Sequence, residues 1–398
     1  MTPSEADLRA AVAAVDDPDF RRGLAELGMV GALGLDGGAA RIEILLPVPG
    51  WPVRDELVRR VAAAATAVDG VDDAVVTTVD MDGDQQHALR SRLAEPPGGE
   101  PADLVGGHGG PGHAHGRAPG GPPQPLGHEE GKTNRFMVPG SRTRVIGVSS
   151  GKGGVGKSSV TVNLAVALAA QGHEVGLLDA DVYGFSVPKM IGVDHGPSTI
   201  EKLLVPPVVH GVRCLSMGYF VPDEQPVIWR GPMLHKALEQ FLVDAYWGDP
   251  DFLLIDMPPG TGDVALSLGQ YLPRTEILVV TTPQPAAQRV AQRSAYAARQ
   301  LKLPVRGVIE NMSWFTGDEG TRYELFGAGG GQALADALEV PLLGRLPLVP
   351  ALRQGGDDGV PVRVADPTGE AALAFDDLAT RLAEMGPVRI YRRELTVR

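Results

Sequence analysis

Cysteine is almost absent from these 398 residues, Cys214 being the only one. A single thiol excludes an intramolecular disulfide framework, a four-cysteine zinc site and any all-thiolate cluster site built within one chain. Long apolar runs are missing too: no stretch reaches the roughly 18 residues that a membrane-spanning helix needs, so no membrane partner is expected. The amino-terminal segment lacks a basic start followed by an apolar run, so no secretory leader is expected and the cytoplasm is the expected compartment. Positive charge is in deficit, with 36 Lys and Arg against 49 Asp and Glu and a net charge of −13. Duplex nucleic acid is held mainly through cationic contacts to phosphate, so no nucleic-acid partner is expected.

What is abundant is glycine and proline, 52 and 34 residues. Much of the excess has one address: from Pro96 to Gly131, 20 of 36 residues are Gly or Pro. Such a stretch buries too little apolar surface to offset its ordering entropy, which predicts a flexible linker over 93–140. Its histidines, His108, His113, His115 and His128, sit on no scaffold of fixed geometry and read as part of a polar spacer, not as a metal-loading tract.

The linker divides two patterned regions. Residues 1–92 alternate helical and strand-like stretches: Ala6 to Val15 helical, Arg41 to Leu46 a strand, Asp55 to Val68 helical, Ala74 to Val79 a strand. Residues 141–386 instead carry short, fully apolar strands between helices. The candidates are Arg144 to Ser149, Glu174 to Leu178, Phe252 to Ile255, Glu276 to Thr281, Val305 to Ile309 and Leu342 to Leu346. That pattern predicts an α/β fold, a doubly wound, mostly parallel sheet behind a small amino-terminal α/β domain, and the glycine-rich motif at Gly151 to Ser158 makes the expected sheet that of a P-loop NTPase. Residues 387–398 form a basic tail that Gly386-Pro387 keeps from being helical. Ligands on such sheets bind at the carboxyl ends of the strands.

The distinctive motif lies there. Gly151-Lys152-Gly153-Gly154-Val155-Gly156-Lys157-Ser158 matches G-x4-G-K-[ST] between an apolar strand and a helix predicted from Lys157 to about Ala170. The glycines let backbone N–H groups turn inward around phosphates, Lys157 reaches the β- and γ-oxygens, and the Ser158 hydroxyl suits Mg²⁺. Asp179 and Asp181 end the second strand. Asp256 ends another and suits a Walker B role toward Mg²⁺, directly or through water, with Gly260 following to offer its N–H to the γ-phosphate. Ser158, Asp181 and Asp256 are therefore the candidate metal residues, and ATP with Mg²⁺ the expected ligands.

Taken in order, Gly151 to Ser158, Asp179-Ala180-Asp181-Val182-Tyr183-Gly184, Ile255 to Asp263 and Glu310-Asn311-Met312-Ser313 resemble the Mrp/ApbC family of iron–sulfur cluster carrier ATPases, in the deviant Walker A, MinD-like branch. Asp17-Pro18-Asp19, Glu26 to Val30 and Pro49-Gly50-Trp51-Pro52 resemble the metal–sulfur cluster assembly domain fused ahead of such ATPases. The resemblance implies a nucleotide-sandwich homodimer in which Lys152 crosses to the partner's phosphates. It implies that Lys152, Lys157 and Asp181 are catalytic, Asp181 orienting the attacking water with Asp179 nearby. It implies that Gly151 to Ser159 cradle the nucleotide, that Asn311 recognises adenine and that Pro347 belongs to the loop around the base. It further implies a [4Fe–4S] cluster as cargo, with iron–sulfur assembly proteins and client apoproteins as partners. Against that last implication, Gly317 and Gly320 stand where the family places its C-x-x-C, and Trp51 stands where the front domain has its cysteine. A dimer of this chain offers two thiolates, and the usual cluster needs four. The alternative is a MinD/ParA-like nucleotide switch that carries no cluster.

Overall fold

Near-continuous apolar strands separated by helices have one stable arrangement, a parallel sheet covered on both faces. The chain, in a computed structural model describing residues 4–94, 134–138, 140–181, 184–220, 231–260 and 262–387, adopts it. The Gly/Pro-rich segment with its four histidines, the tail from Val388, and Val182, Tyr183 and Thr261 lie outside the described residues. The main sheet has eight strands in the order Leu342–Arg345, Val305–Glu310, Glu276–Thr281, Arg144–Ser150, Phe252–Asp256, Val175–Asp179, Val212–Ser216, Val208–Val209. All neighbours pair in parallel except the last, short strand, which closes the edge as a hairpin.

Alternate residues of each strand feed opposite cores. Leu253, Ile255, Ile277 and Val279 pack beneath the helices Gly231–Val243, Asp263–Tyr271 and Pro285–Gln300. Leu254, Leu278 and Val280 join Phe375 and Leu378 of the helix Glu370–Glu384 and the helix Lys157–Ala170. The latter is buried along most of its length, which explains its apolar sequence on every side. It stops where Gly172, at φ 89°, takes the left-handed turn that a side chain resists.

The front region folds into a three-stranded sheet, Val30–Asp36, Ala39–Leu46 and Asp73–Asp80, with helices Glu5–Ala13, Arg54–Thr66 and Gly83–Ala94. Leu93 closes the last of these helices inside the front core, and Phe136 packs against Trp247 in the main one. The two regions also meet. Phe20 lies edge-on to Tyr246 with ring centres 5.8 Å apart, the buried Arg213 donates to the Asp19 carbonyl, and Arg21 pairs with Glu174 at 3.0 Å.

Candidate functional site

The phosphate loop begins where the strand Arg144–Ser150 ends. Its first glycine, Gly151, has no room for a side chain: a Cβ there would lie 2.2 Å from the Ala291 backbone nitrogen. Gly156, at φ 80°, forms the left-handed cap of the helix Lys157–Ala170, and its missing Cβ leaves space for Asn311, whose Nδ2 it would meet at 2.3 Å. Sequence and helix dipole thus place backbone N–H groups of Gly153 to Ser158 at a helix amino terminus, the standard setting for phosphate.

Beneath the loop, Asp256 is almost fully buried and gathers three donors. Lys157 Nζ and Ser158 Oγ each lie 2.6 Å from its Oδ2, and Thr161 Oγ1 lies 2.7 Å from its Oδ1. Asp256 and Asp179 are direct register partners on adjacent strands, which brings two carboxylates together in a low-dielectric interior. Burial, with the Asp256 charge added, pushes the Asp179 carboxyl up to about 7. Asp179 accepts from Ser216 Oγ at 3.1 Å and from the Asp181 backbone N–H at 3.1 Å. Asp181 itself accepts the Gly184 N–H at 3.2 Å. It touches neither Ser158 nor Asp256 among the described contacts, so the structure brings together two of the three expected metal residues. Gly260 N–H, the expected γ-phosphate donor, is spent on the Ser150 carbonyl at 2.9 Å and must be released to serve that role. Lys152 is half-buried and makes no ion pair among the described residues.

Beside the loop lies a mostly apolar cavity of about 440 Å³, lined by Gly156, Ser159, Met190, Asn311, Pro347 and Leu352, among others. Asn311 Nδ2 donates to the Val155 carbonyl at 2.9 Å, while its Oδ1 is buried without a partner among the described residues. A buried acceptor left open costs roughly 1–3 kcal/mol unless a ligand donor reaches it, and an exocyclic amine of a purine is such a donor. The residues expected around the base thus share one cavity.

The segment after Asn311 is different. Phe315–Thr316 and Arg322–Tyr323 form a small antiparallel hairpin with Gly317 and Gly320 at its turn. Glu370 ties it down, accepting from Trp314 Nε1 at 2.9 Å, Thr316 Oγ1 at 2.7 Å and Arg322 Nη2 at 2.9 Å. Partial burial raises the Glu370 pKa, but the Thr316 and Trp314 donors and the Arg322 guanidinium outweigh it and hold the carboxyl below its usual range. Arg322 also lies 4.4 Å from the centre of the Trp314 ring. Asp318 and Glu319 are exposed, and no group of three or more His, Cys, Asp or Glu side chains suited to a metal exists among the described residues. Cys214 is buried inside its strand, and burial raises its thiol far above the range of a reactive thiolate. In the front region Trp51 is buried, stacks on Phe20 and donates to Asp17 Oδ2 at 3.2 Å.

Sequence reasoning did not single out Thr161 or Ser216. Thr161 had a signal: it sits four residues after Lys157, on the same helix face. Ser216 and the Arg213 contact to Asp19 depend on strand order and have no local signature.

The chain resembles known proteins along most of its length. A family model described as NUBPL iron-transfer P-loop NTPase matches residues 141–383, and one described as iron-sulfur cluster assembly protein matches residues 5–78. The iron-sulfur cluster carrier protein of Mycobacterium bovis is 42% identical over 386 residues, spanning 95% of this chain and 93% of that protein. The protein of the same name from Synechocystis is 36% identical over 376 residues, 93% of this chain and 94% of the relative. Among solved structures, a nucleotide-binding protein in complex with ADP from Archaeoglobus fulgidus is 32% identical and covers 57% of this chain and 90% of its own, with a TM-score of 0.49.

Proposed function

The chain belongs to the NUBPL iron-transfer P-loop NTPase family, and from that membership we propose that it binds Mg²⁺-ATP and hydrolyses it as a homodimer whose nucleotide cycle governs transfer of iron–sulfur cargo. The observation that carries the proposal is the convergence of Lys157, Ser158 and Thr161 on Asp256 beneath a glycine loop, next to a cavity with an open Asn311 acceptor. Ser158 and Asp256 supply hard oxygen donors that fit Mg²⁺. When bound there, the metal neutralises charge on the β- and γ-oxygens. Lys157 leaves Asp256 to bind phosphate oxygens, Asp181 orients water, and Gly260 exchanges the Ser150 carbonyl for a phosphate oxygen. Lys152 reaches the partner's phosphates and stabilises transition-state charge as an arginine finger does.

The cargo step has fewer supports in this chain. Two thiols per dimer, both inside a strand, cannot hold a four-iron cluster by themselves. We assign the missing ligands to client or assembly proteins or to small thiols, consistent with the carrier name of the relatives. No described helix is long and apolar enough to cross a membrane, and the proposed setting is the cytoplasm. The front unit, the linker, the ATPase unit and the tail are proposed to divide near residues 92, 140 and 386, with the ordered ends noted above.

Lys152→Ala tests the dimeric mechanism. It should bind ATP within about threefold of the native chain while hydrolysis falls by ~10²-fold or more, the scale of a lost transition-state donor. Unchanged phosphate release would rule out the trans-acting lysine.

A further inference from the structure

At the opposite edge of the main sheet lies a second cavity, of about 510 Å³, lined by Arg142, Arg144, Arg274, Ser141, Thr143 and Glu276, among others. A seven-residue strand, Arg144–Ser150, separates it from the phosphate loop, about 20 Å at a strand rise of ~3.3 Å per residue. It therefore lies outside the nucleotide site.

The charge balance there is one-sided. Arg144 is only 7% exposed, at the start of the central strand. Its Nη1 donates to the Leu382 carbonyl at 2.7 Å and its Nη2 to Glu276 Oε2 at 2.9 Å, but its Nε, also buried, has no acceptor among the described residues. The same Glu276 oxygen receives Arg306 Nε at 3.0 Å, so two guanidinium groups share one carboxylate. Arg142 and Arg274 are exposed and add two more cations at the cavity. Among the described residues Glu276 is the only acidic one in the lining. This local excess runs against a chain whose net charge is −13, so it does not follow from overall composition.

A buried cation with an unmet donor is costly, and guanidinium groups recognise carboxylate and phosphate oxygens with paired, charge-assisted hydrogen bonds. Serine and threonine hydroxyls beside them add neutral donors. Phe136 and Leu272 give the cavity an apolar wall, and its volume exceeds what one inorganic anion fills. We propose that this cavity is a second binding site, for a small multivalent oxyanion, phosphorylated or polycarboxylic, that places one oxyanion group against Arg144 between Arg142 and Arg274. The proposal does not depend on the reading of the nucleotide site.

The test uses the full chain saturated with Mg²⁺ and a non-hydrolysable ATP analogue, so that the phosphate loop is filled. Inorganic phosphate, pyrophosphate and citrate are titrated separately by calorimetry at constant ionic strength, with chloride as the control. The expected result is saturable binding of at least one probe, weakened tenfold or more in the exposed-residue double variant Arg142→Ala/Arg274→Ala, with affinity for the ATP analogue unchanged. Tighter pyrophosphate would identify a phosphoryl ligand and tighter citrate a carboxylate. Arg144→Gln should abolish binding; should it fail to fold, the double variant still decides. Absence of saturable binding by all three probes, or equal binding by the double variant, would overturn the proposal.

Discussion

Two loops leave the carboxyl edge of the same sheet, and they have opposite fates. At the phosphate loop Lys157, Ser158 and Thr161 meet on Asp256, and Asp179 stands beside it in register. The hairpin after Asn311 carries no cysteine. Glycines sit at its turn, and three side chains close it onto Glu370. Nucleotide chemistry rests largely on backbone N–H groups, one lysine and carboxylates held by buried strands. Cluster binding needs soft thiolate or imidazole ligands, and residues 315–323 offer neither. On the proposed function, the nucleotide switch of this domain does not depend on cluster ligands in the hairpin.

The largest effect expected is at the intact loop. Lys157→Ala should lower ATP hydrolysis by ~10²-fold or more, because it removes the positive charge that follows the transferring phosphoryl group. Asp256→Asn should do so to a similar extent, since it weakens the hold on both Lys157 and Ser158. Phosphate release measures both. If either variant retains near-native turnover, the contrast between the loops collapses.

Next comes the hairpin itself. Glu370→Ala strands the Trp314 and Thr316 donors and the Arg322 guanidinium, and should cost about 1–3 kcal/mol in a denaturant titration. Hydrolysis per folded molecule should stay within about twofold. A parallel fall in turnover would mean that the two loops are energetically one unit.

Restoring thiols should also be resisted. Gly320 adopts φ 78°, and a Cβ on Gly317 would lie 3.0 Å from the Tyr323 ring. Gly317→Cys/Gly320→Cys should therefore destabilise the chain by about 1–2 kcal/mol, the usual cost of a left-handed non-glycine residue. A stability equal to that of the native chain would show that the hairpin relaxes freely and that its glycines are not required by its shape.

The smallest effect concerns the front region. Burial pushes the Asp17 carboxyl up to about 7, against backbone donation from Phe20 and Asp19 and with the Asp19 charge adding to the rise. The folded state therefore holds this proton more tightly than the unfolded chain does. Its contribution to stability is full below about pH 4 and is lost as pH rises through about 7. Asp17→Asn cannot ionise, and it gives up the acceptor used by Trp51 Nε1. Relative to the native chain it should be less stable at pH 4, with the gap narrowing by pH 8 in paired thermal melts. A gap independent of pH would contradict the assignment.

How much of this the sequence disclosed follows from the range of each interaction. The helix Lys157–Ala170 and the strand Glu276–Thr281 coincide with their expected bounds, because apolar runs, a left-handed Gly172 and a glycine loop are local signals. The nearness of Asp256 to Lys157 was implied by the motifs and needs only that their two strands be neighbours. Arg213 against Asp19, Ser216 against Asp179 and Arg144 sharing Glu276 with Arg306 join residues far apart in the chain, and no local pattern announces them. The absence of cysteine at Gly317 and Gly320 is legible at once, since a missing residue type needs no fold to be noticed. What the structure adds is the closure of that hairpin on Glu370.

The central claim is that the chain hydrolyses ATP while its two thiols per dimer cannot by themselves hold a four-iron cluster. Anaerobic reconstitution of the purified full chain with iron and sulfide, in thiol-free buffer, tests it most directly when iron content, visible charge-transfer absorption and ATP hydrolysis are read on the same sample. We expect a colourless, iron-free protein that hydrolyses ATP, and gain of colour only when glutathione or a thiol-bearing partner is added. Four irons per dimer with cluster absorption in the absence of added thiol would contradict the account.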